Sequence, residues 1–283
     1  MKTNKEKLVM QSVIGSIHSP TARGSYVINS RGEAMTLPSV GGITYNFTLG
    51  DSCMDLVGDH VEPDVSIKND NDMENQALMK MSCVGNIATV VSGEHKGAQG
   101  IVLGMHGGID HTIIHFSKED KEKLTIGDKI MVKGYGTGMV IEGYEDIHCM
   151  NLDPELFERL PIKEKDGKLE FPVVATIPAH LMGSGIGSST GHTGDYDIMT
   201  GDHELNEKHG INDLRFGDFV FLENCDNTYG RQYLSGAGTI GIVIHSNCVL
   251  SGHGPGITTL LSSKEGKIIP RIDKKANLKN YVK

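Results

Sequence analysis

Short runs of β-branched residues, separated by glycine turns, dominate the hydrophobic pattern of the chain. Valine, isoleucine and threonine fill each run, and glycine or aspartate bounds it, which is the pattern of β-strands. The clearest predicted strands span residues 87–91, 100–104, 111–116, 129–134, 171–177, 218–223 and 239–245. The sequence therefore predicts a β-rich protein.

Helical patterns are fewer, and capping residues mark where they begin. Asp153, followed by a proline, is a typical N-cap and predicts a helix over residues 153–160. Helices are also predicted over 69–81 and over 201–210, where Asp202 can cap the first turn. We therefore expect an α+β protein with a helix content well below the average of roughly 30–35%.

A small repeat divides the chain into two halves. The pattern L-x-x-G-D followed by apolar residues occurs at 124–132 and 214–222, with a weaker copy at 47–54. Glycine and aspartate form a turn that starts the next strand, as in small β-barrels. The two strong copies lie on either side of a charged, proline-containing stretch at 148–168.

We predict two packed domains built on small β-barrel or β-sandwich cores with few helices. The first is β-rich with SH3-like barrel features, and the second is β-rich with glycine-rich loops. Their predicted spans are residues 1–152 and 153–283.

Charge and composition exclude several classes of protein. The chain has 27 basic and 36 acidic residues, a formal net charge of −9 and no dense basic run, which argues against the basic face that nucleic-acid binding normally requires and leaves only a local basic patch open. No stretch approaches the ~18 apolar residues of a membrane span, and the first residues contain no apolar signal core. We expect a cytoplasmic homo-oligomer that binds a small molecule and neither nucleic acid nor membrane.

The cysteines support a reducing compartment. An odd number of cysteines without a CxxC pair is poor material for a disulfide framework. We expect five free thiols that serve as small apolar residues. They are Cys53, Cys83, Cys149, Cys225 and Cys248.

The stretch 183–203, GSGIGSSTGHTGDYDIMTGDH, is the strongest candidate for a ligand-binding loop. Long glycine-rich loops in compact domains are more often functional than idle. A dinucleotide fingerprint would need a helix to start here, and these residues are poor helix formers. We predict that Gly183, Gly185 and Gly187 bring backbone amides close to a substrate oxyanion.

The same loop carries candidate metal ligands. Asp195 and Asp197 form an Asp-x-Asp pair that can chelate a hard cation, and His192 precedes them. The alternative is a connection whose aspartates only cap turns. We interpret His192 as catalytic and the two aspartates as metal ligands.

A second group of candidate ligands lies in GDHVEP, residues 58–63. This turn places His60 between Asp59 and Glu62, which suits a divalent metal or a histidine whose pKa is set by an acid. An acid-rich surface loop would show the same composition. We predict Asp59 and His60 as metal ligands.

The other histidines of the first half give a weaker pattern. His111 and His115 form an HxxxH pair, but on a strand they lie about 13 Å apart and cannot share one ion. His106 and His111 flank a glycine turn and could approach each other.

The C-terminal half supplies a further histidine in SGHGPG. Small or rigid residues flank His253 and clear space around its ring, which a core histidine would not need. We interpret His253 as catalytic and Arg231 as a substrate-binding residue. No GxSxG elbow is present, so nucleophilic catalysis by serine is the weaker idea.

Four segments together resemble a family of bacterial and archaeal proteins known as a domain of unknown function. They are GDHVEPDVSI, GMHGGIDH, IPAHLMGSGIGSSTGHTGDYDIM and SGHGPG. The resemblance covers nearly the whole chain and implies no activity. A fainter resemblance, in the GD-turn strands, is to the acetamidase/formamidase proteins, which are β-rich and hydrolyse small amides; no residue role transfers from it.

These observations lead us to expect metal-assisted hydrolysis of a small polar substrate, such as an amide or cyclic amide. A divalent metal ion would lower the pKa of bound water toward ~7 and polarise the carbonyl, while loop amides hold the oxyanion. Two alternatives are left open: a non-catalytic protein that binds a small metabolite, and a structural homo-oligomer without a small ligand.

Overall fold

The computed structural model describes residues 1–22, 24–185, 187–188 and 190–282. Within these residues the chain forms many short strands and only a few short helices. The α-helices are α1 Asp72–Met81, α2 Lys118–Lys121, α3 Pro154–Arg159 and α4 His203–Lys208. No helix in the described part of the chain is both long and apolar enough to cross a membrane.

The strands fall into an N-terminal and a C-terminal group. Those of the first half are β1 Gln11–Ile17, β2 Val27–Ile28, β3 Ala34–Met35, β4 Ile43–Thr44, β5 Asp64–Lys68, β6 Ile87–Val90, β7 Gln99–His106, β8 His111–His115 and β9 Lys129–Gly134. Those of the second half are β10 Ile147–Cys149, β11 Lys163–Lys165, β12 Lys168–Val173, β13 Ala175–Ile177, β14 Tyr196–Asp197, β15 Phe219–Asp226, β16 Gln232–His245, β17 Gly256–Ser263 and β18 Ile268–Ile272.

The N-terminal half is a closed six-stranded barrel. Its strands follow the order β1-β9-β6-β7-β8-β5, and β5 pairs back onto β1 to close the ring. Strand β4 flanks β5 outside the ring. Apolar side chains from every strand meet inside, among them Ile17, Ile67, Val102 and Val132, so the barrel has its own core.

The C-terminal half is built on a sheet with the order β10-β17-β16-β15-β13, and β14 pairs with β17. A smaller sheet, β11-β12-β18, packs on the same core, which includes Phe171, Phe219 and Leu261. The α+β, β-rich fold with two packed β-rich domains is therefore present, and the core of the second also takes in Leu103 and Ile113 of the first.

The two halves are joined tightly along β7. The hydroxyl of Thr258 on β17 accepts from the backbone N–H of Met105 and donates to its carbonyl, at 3.0 Å each. Gly104 allows this contact, because a Cβ there would lie 2.4 Å from Ile244. This close approach brings the end of β7 against the ends of β16 and β17.

The repeated L-x-x-G-D segments are turns, as predicted. In each copy the aspartate side chain accepts a hydrogen bond of 2.9 Å from the backbone N–H three residues earlier. The glycine before it has a positive φ, which a side chain would disfavour. The three aspartates are Asp51, Asp128 and Asp218.

The predicted strands and helices are confirmed, with small changes of boundary. The prediction over 171–177 covers parts of two strands, β12 and β13. The helix predicted over 69–81 begins at Asp72, because Asn71 caps it by accepting from the N–H groups of Met73 and Glu74. All five cysteines are described, and each is a free thiol.

Candidate functional site

Strand ends from both halves converge at one edge of the barrel. Strand β7 ends at His106, and β8 begins at its cross-strand partner His111. Strand β16 ends at His245 and β14 carries Asp197, both opposite Gly256 of β17. The turn before β5 adds His60. These residues come from distant parts of the chain and form what we call the histidine–aspartate centre.

Asp197 is the hub of this centre. Its Oδ2 lies 2.7 Å from Nδ1 of His253 and 3.6 Å from Nε2 of His60. Its Oδ1 lies 3.3 Å from Nε2 of His245. The two facing nitrogens of His60 and His253 are 3.1 Å apart.

Asp195 stands beside Asp197 because side chains two residues apart on an extended chain point the same way, while Tyr196 between them is fully buried in the apolar core. The Oδ2 of Asp195 is 2.9 Å from Nε2 of His245. Its Oδ1 accepts the backbone N–H of Gly107 at 2.7 Å. Each carboxylate therefore presents at least one oxygen to the imidazoles.

Three of the four imidazoles, those of His60, His106 and His245, are oriented from outside the centre. Carboxylate and carbonyl oxygens only accept, so each Nδ1 that faces one carries the proton. The other nitrogen of the ring, Nε2, is then available to the centre. This is the arrangement by which proteins orient metal-binding histidines. The Nδ1–acceptor pairs are His60–Asp59, His106–Glu62 and His245–Ser246, at 2.8, 2.5 and 2.9 Å.

The spacing between these atoms fits a coordinated ion. Ligand atoms that each lie about 2.1 Å from one metal are about 3.0–3.4 Å apart at ordinary coordination angles. Three triads have their ligand atoms within 4.8 Å of one another: His60–Asp197–His245, His106–Asp195–His245 and His60–Cys248–His253. The described residues thus offer several overlapping ligand sets.

Cys248 belongs to the outer layer of the centre. Its thiol donates to Oδ1 of Asp59 at 2.7 Å and lies 3.4 Å from Nδ1 of His60, on the side of the ring that faces away from Asp197. Burial raises the pKa of this thiol to about 11, against an opposing effect of His60. A neutral thiol that donates to Asp59 helps to hold His60 in place.

Glu62 lies beneath the centre, almost fully buried. Besides His106, it faces Nδ1 of His111 at 2.8 Å and accepts from the hydroxyl of Ser66. Burial would raise the pKa of Glu62, but the charge of His111 and the bonds from both histidines hold it well below its usual range. Glu62 is therefore an anion that fixes His106.

The electrostatics of the centre favour ionised carboxylates facing protonated imidazoles. Burial by itself lowers the pKa of His60, but the bonds with Asp197 and Asp59 outweigh it and raise the value to about 11. His245 behaves alike: burial lowers its pKa, and the bonds with Asp195 and Asp197 raise it well above normal. Burial raises the pKa of Asp197, but bonds with His245 and His253 bring it far below its usual range.

The backbone at His60 is unusual. It has a φ of 49°, in the left-handed region, whereas the other described non-glycine residues with positive φ are aspartates or an asparagine. Histidine, like aspartate and asparagine, is among the non-glycine residues that adopt this conformation most often. The turn is held by Asp59, which accepts from the N–H of Val249 at 3.0 Å.

A cavity of about 740 Å³ opens onto the centre. Ser184 reaches it, with its hydroxyl 3.3 Å from Oδ2 of Asp197 and 3.4 Å from Nδ1 of His253. Lys68 is the only lysine or arginine among the described lining residues, and its ammonium donates to the carbonyl of Ile109 at 2.7 Å. Residues 21–22, 24–27 and 37–40, around the small β2–β3 hairpin, also line the cavity.

The structure brings most of the predicted ligands together. Asp59 contacts His60, and His60 and His253 both face Asp197, with Asp195 beside them. Three segments that the sequence singles out separately therefore meet in one place.

The predicted glycines and the remaining candidates have different positions. Gly185 and Gly187 line the cavity, whereas Gly183 does not and donates its N–H to the carbonyl of Asp197 at 2.7 Å. Arg231 donates to the carbonyls of Met182 and Gly183 and so braces the loop.

His192, predicted as catalytic, lies outside the centre. Its ring is 5.7 Å from that of His148, edge-on, and burial lowers the pKa of both histidines. Ser184, Asp195 and Asp197 of the same loop lie at the centre, whereas His192 between them does not.

Sequence reasoning missed His106 and His245 as ligands. His245 ends a long apolar strand and has the pattern of a core histidine. His106 faces a glycine turn that the sequence does reveal, but its link to Glu62 spans 44 residues. The one signal in the sequence is that each histidine ends a β-strand pattern and is followed by glycine or a small polar residue.

Comparisons with known proteins identify a matching family and a solved structure of similar fold. The family described as "Domain of unknown function (DUF4438), N-terminal" matches residues 26–158, and its C-terminal counterpart matches residues 159–282. The solved structure "Crystal structure of TM1086" is 45% identical, with a TM-score of 0.95, and the match covers 100% of this chain and 99% of that one. No curated protein matches the chain.

Proposed function

The chain belongs to the DUF4438 family, and we propose that it is a metal-dependent hydrolase of a small polar substrate, such as an amide or cyclic amide. One observation carries the proposal: imidazoles and carboxylates converge at one end of a cavity, and the outward nitrogens of His60, His106 and His245 are tied to acceptors. The converging residues are His60, His106, Asp195, Asp197, His245 and His253.

The donor set suggests the kind of ion. Imidazole nitrogens with carboxylate oxygens suit zinc, manganese, iron or cobalt, whereas magnesium and calcium prefer oxygen ligands alone. Cys248 does not shift this choice toward a soft metal, because its thiol donates to Asp59. We therefore propose a divalent transition metal or zinc as the cofactor.

The ion that does the chemistry would sit where the centre meets the cavity. His60, His253 and Asp197 are the ligands on that side, and His253 is the most exposed of the three. Three protein ligands leave positions for water and substrate. A bound water would be acidified toward a pKa of ~7, and the substrate carbonyl would be polarised. His253 is then a ligand rather than a general base.

The cavity suits a small substrate with a polar group. Its volume lies within the usual range of roughly 300–1,000 Å³ for small-molecule sites. Ser184, next to Asp197, can donate to a substrate oxygen, and Lys68 supplies one ammonium on the wall. Amides are chosen because of the resemblance to acetamidase/formamidase proteins in the GD-turn strands.

Cytoplasmic location and homo-oligomeric assembly remain part of the proposal. Five free thiols support a reducing compartment. Assembly is tested by the mass of the purified protein in solution, where a monomer would contradict it.

The hydrolase proposal is tested with metal-free protein reloaded separately with zinc, manganese, iron or cobalt. A panel of linear amides, lactams, imides and hydantoins is followed by release of ammonia or acid. We expect turnover only after reloading, and at least a hundredfold loss in Asp197→Asn. The control Asp213→Asn alters an exposed aspartate outside the centre and should retain activity.

Metal binding without turnover of any substrate class would contradict the hydrolase and support the metabolite-binding alternative. Absence of both metal and turnover would support the structural alternative.

A further inference from the structure

We propose that the histidine–aspartate centre holds two metal ions, bridged by Asp197; this inference rests on the proposed function, which requires only one. The outer ion would lie between His60, His253 and Asp197. The inner ion would lie between His106, His245, Asp195 and Asp197. The two positions are separate because the two oxygens of Asp197 face different partners.

The bridging geometry is visible at Asp197. Its Oδ2 faces His253 at 2.7 Å and His60 at 3.6 Å, while its Oδ1 faces His245 at 3.3 Å. A carboxylate that bridges two ions presents one oxygen to each in this way. Ions in such pairs are about 3.5–4 Å apart, a separation that a single carboxylate spans.

The inner position has a complete set of ligands. His106, Asp195 and His245 are all buried and their ligand atoms lie within 4.8 Å of one another. Every other polar atom of the three is already used: Nδ1 of each histidine donates to an acceptor, and Oδ1 of Asp195 accepts from Gly107. With Oδ1 of Asp197 the set has four ligands, the number of a closed tetrahedral site.

Space is kept open at the inner position by Gly256. A Cβ on this residue would lie 2.1 Å from Nε2 of His245 and 2.5 Å from Oδ2 of Asp195. The glycine therefore clears the volume between the two proposed ligands. Gly256 sits opposite both His245 and Asp197 in the sheet, so its absent side chain is what lets the three residues approach.

Charge balance favours two ions over one. The centre contains four carboxylates, Asp59, Glu62, Asp195 and Asp197, and no described lysine or arginine forms an ion pair with any of them. Two divalent ions would match these four charges with all imidazoles neutral. With one ion, two protonated imidazoles would be needed to balance the remaining charge. His111, which faces Glu62, can be one of them, but the other would be a histidine of the centre, and a histidine cannot be a metal ligand while both of its nitrogens are protonated.

The test uses Mn²⁺ alone, added to metal-free full-length protein, with bound metal counted after gel filtration and the spin state followed by electron paramagnetic resonance. We expect saturation at two ions per chain and an exchange-coupled spectrum. Asp195→Asn and His253→Gln should each bind one ion with an uncoupled six-line spectrum. The control Asp213→Asn should behave as the wild type.

Thermal unfolding of each variant confirms that it folds, and the wild-type stoichiometry and coupling decide the question even where a variant fails. Saturation of the wild type at one ion would overturn the inner position and leave the hydrolase proposal standing. Two uncoupled ions would place the second ion elsewhere and also overturn the bridge. Binding of none would overturn the two-ion centre, and the zinc, iron and cobalt arms of the reloading experiment would then decide the hydrolase proposal.

Discussion

Two buried aspartate clusters lie on neighbouring parts of the barrel edge, and only one of them has the character of a metal centre. The first surrounds Asp64, whose carboxylate accepts from Thr48, from the backbone of Leu49 and from His115 at 2.6–3.0 Å. The second is the histidine–aspartate centre. The HxxxH pair divides between them, because His115 contacts Asp64 and His111 contacts Glu62.

The difference between the clusters is a lysine. Lys121 is almost fully buried, and its ammonium lies 3.0 Å from Oδ1 of Asp64 and donates to the carbonyls of Thr44 and Phe47. The Asp64 cluster is thereby neutral and fully hydrogen-bonded. Asp195 and Asp197 have no such partner among the described residues, and face imidazoles instead.

A buried carboxylate that is paired with a fixed cation stabilises the fold, and its oxygens are not available to bind a ligand. Buried carboxylates matched only by imidazoles can exchange those protons for a metal, since metal ligands must be deprotonated. The identity of the compensating group, more than the presence of histidine or aspartate, separates the structural cluster from the candidate site.

The largest effect is expected from breaking the structural cluster. Lys121→Met leaves Asp64 as an uncompensated buried charge, which should lower the free energy of unfolding by about 3–5 kcal/mol. Urea denaturation measures this, with the exposed Lys123→Met as a control that should stay within about 0.5 kcal/mol of the wild type. A change below 1 kcal/mol in Lys121→Met would mean that the cluster is not held by this pair.

Metal removal should affect the histidine–aspartate centre and leave the Asp64 cluster unchanged. An ion at 100 times its dissociation constant stabilises the native state by about 2.7 kcal/mol, so a chelator should lower the melting temperature of the wild type. Asp197→Asn should show little response to chelator, while Asp213→Asn should respond fully. Equal responses in both variants would show that any bound metal lies outside the centre.

An added methyl group should close the inner half of the centre. Gly256→Ala forces a Cβ against His245 and Asp195, and such overpacking should cost about 1–3 kcal/mol. Metal content should fall at the same time. Gly201→Ala, where a Cβ meets open space, is the matched control, and unchanged metal content in Gly256→Ala would count against the proposed geometry.

The smallest effect is expected at a third histidine–carboxylate pair, His95 and Asp120. Nε2 of His95 lies 2.6 Å from Oδ1 of Asp120, and both side chains are partly exposed. The hydrogen bond from His95 lowers the pKa of Asp120 from its ordinary value of 3.8. The pair therefore stabilises the folded state fully above pH 3.8, and this contribution is lost as the pH falls through the lowered pKa. Being exposed, the pair should contribute less than about 1 kcal/mol.

Carbon-13 NMR titration of the Asp120 carboxyl measures its pKa. Urea denaturation of Asp120→Asn at pH 6 and pH 3 measures what the pair contributes to the free energy of unfolding. A loss of several kcal/mol at pH 6 would show that burial is not what separates the strong pairs from this one.

Local pattern was sufficient for much of the fold. The strands β6 to β9 and the caps at Asp153 and Asp202 follow from residue type and turn chemistry over a few positions. Strand β17 was not predicted, because GITTLLSS is buried on both faces and so lacks the alternation of a half-exposed strand.

The site was only partly readable from the sequence, for a physical reason. Asp59, His60, Asp195, Asp197 and His253 lie in short polar turns, where their composition is conspicuous. His106 and His245 end apolar strands, and their role depends on which strand ends meet. Barrel closure and the β7–β17 contact decide that, and neither is a property of any single segment.

The most direct test of the metal centre is anomalous X-ray diffraction from crystals of the purified protein, collected on both sides of the zinc, iron, manganese and cobalt edges. We expect a strong anomalous peak within coordination distance of His60, His253 and Asp197, absent from Asp197→Asn crystals. Crystals without any anomalous peak in this region, with His253 and His245 hydrogen-bonded directly to the aspartates, would contradict the proposed metal centre.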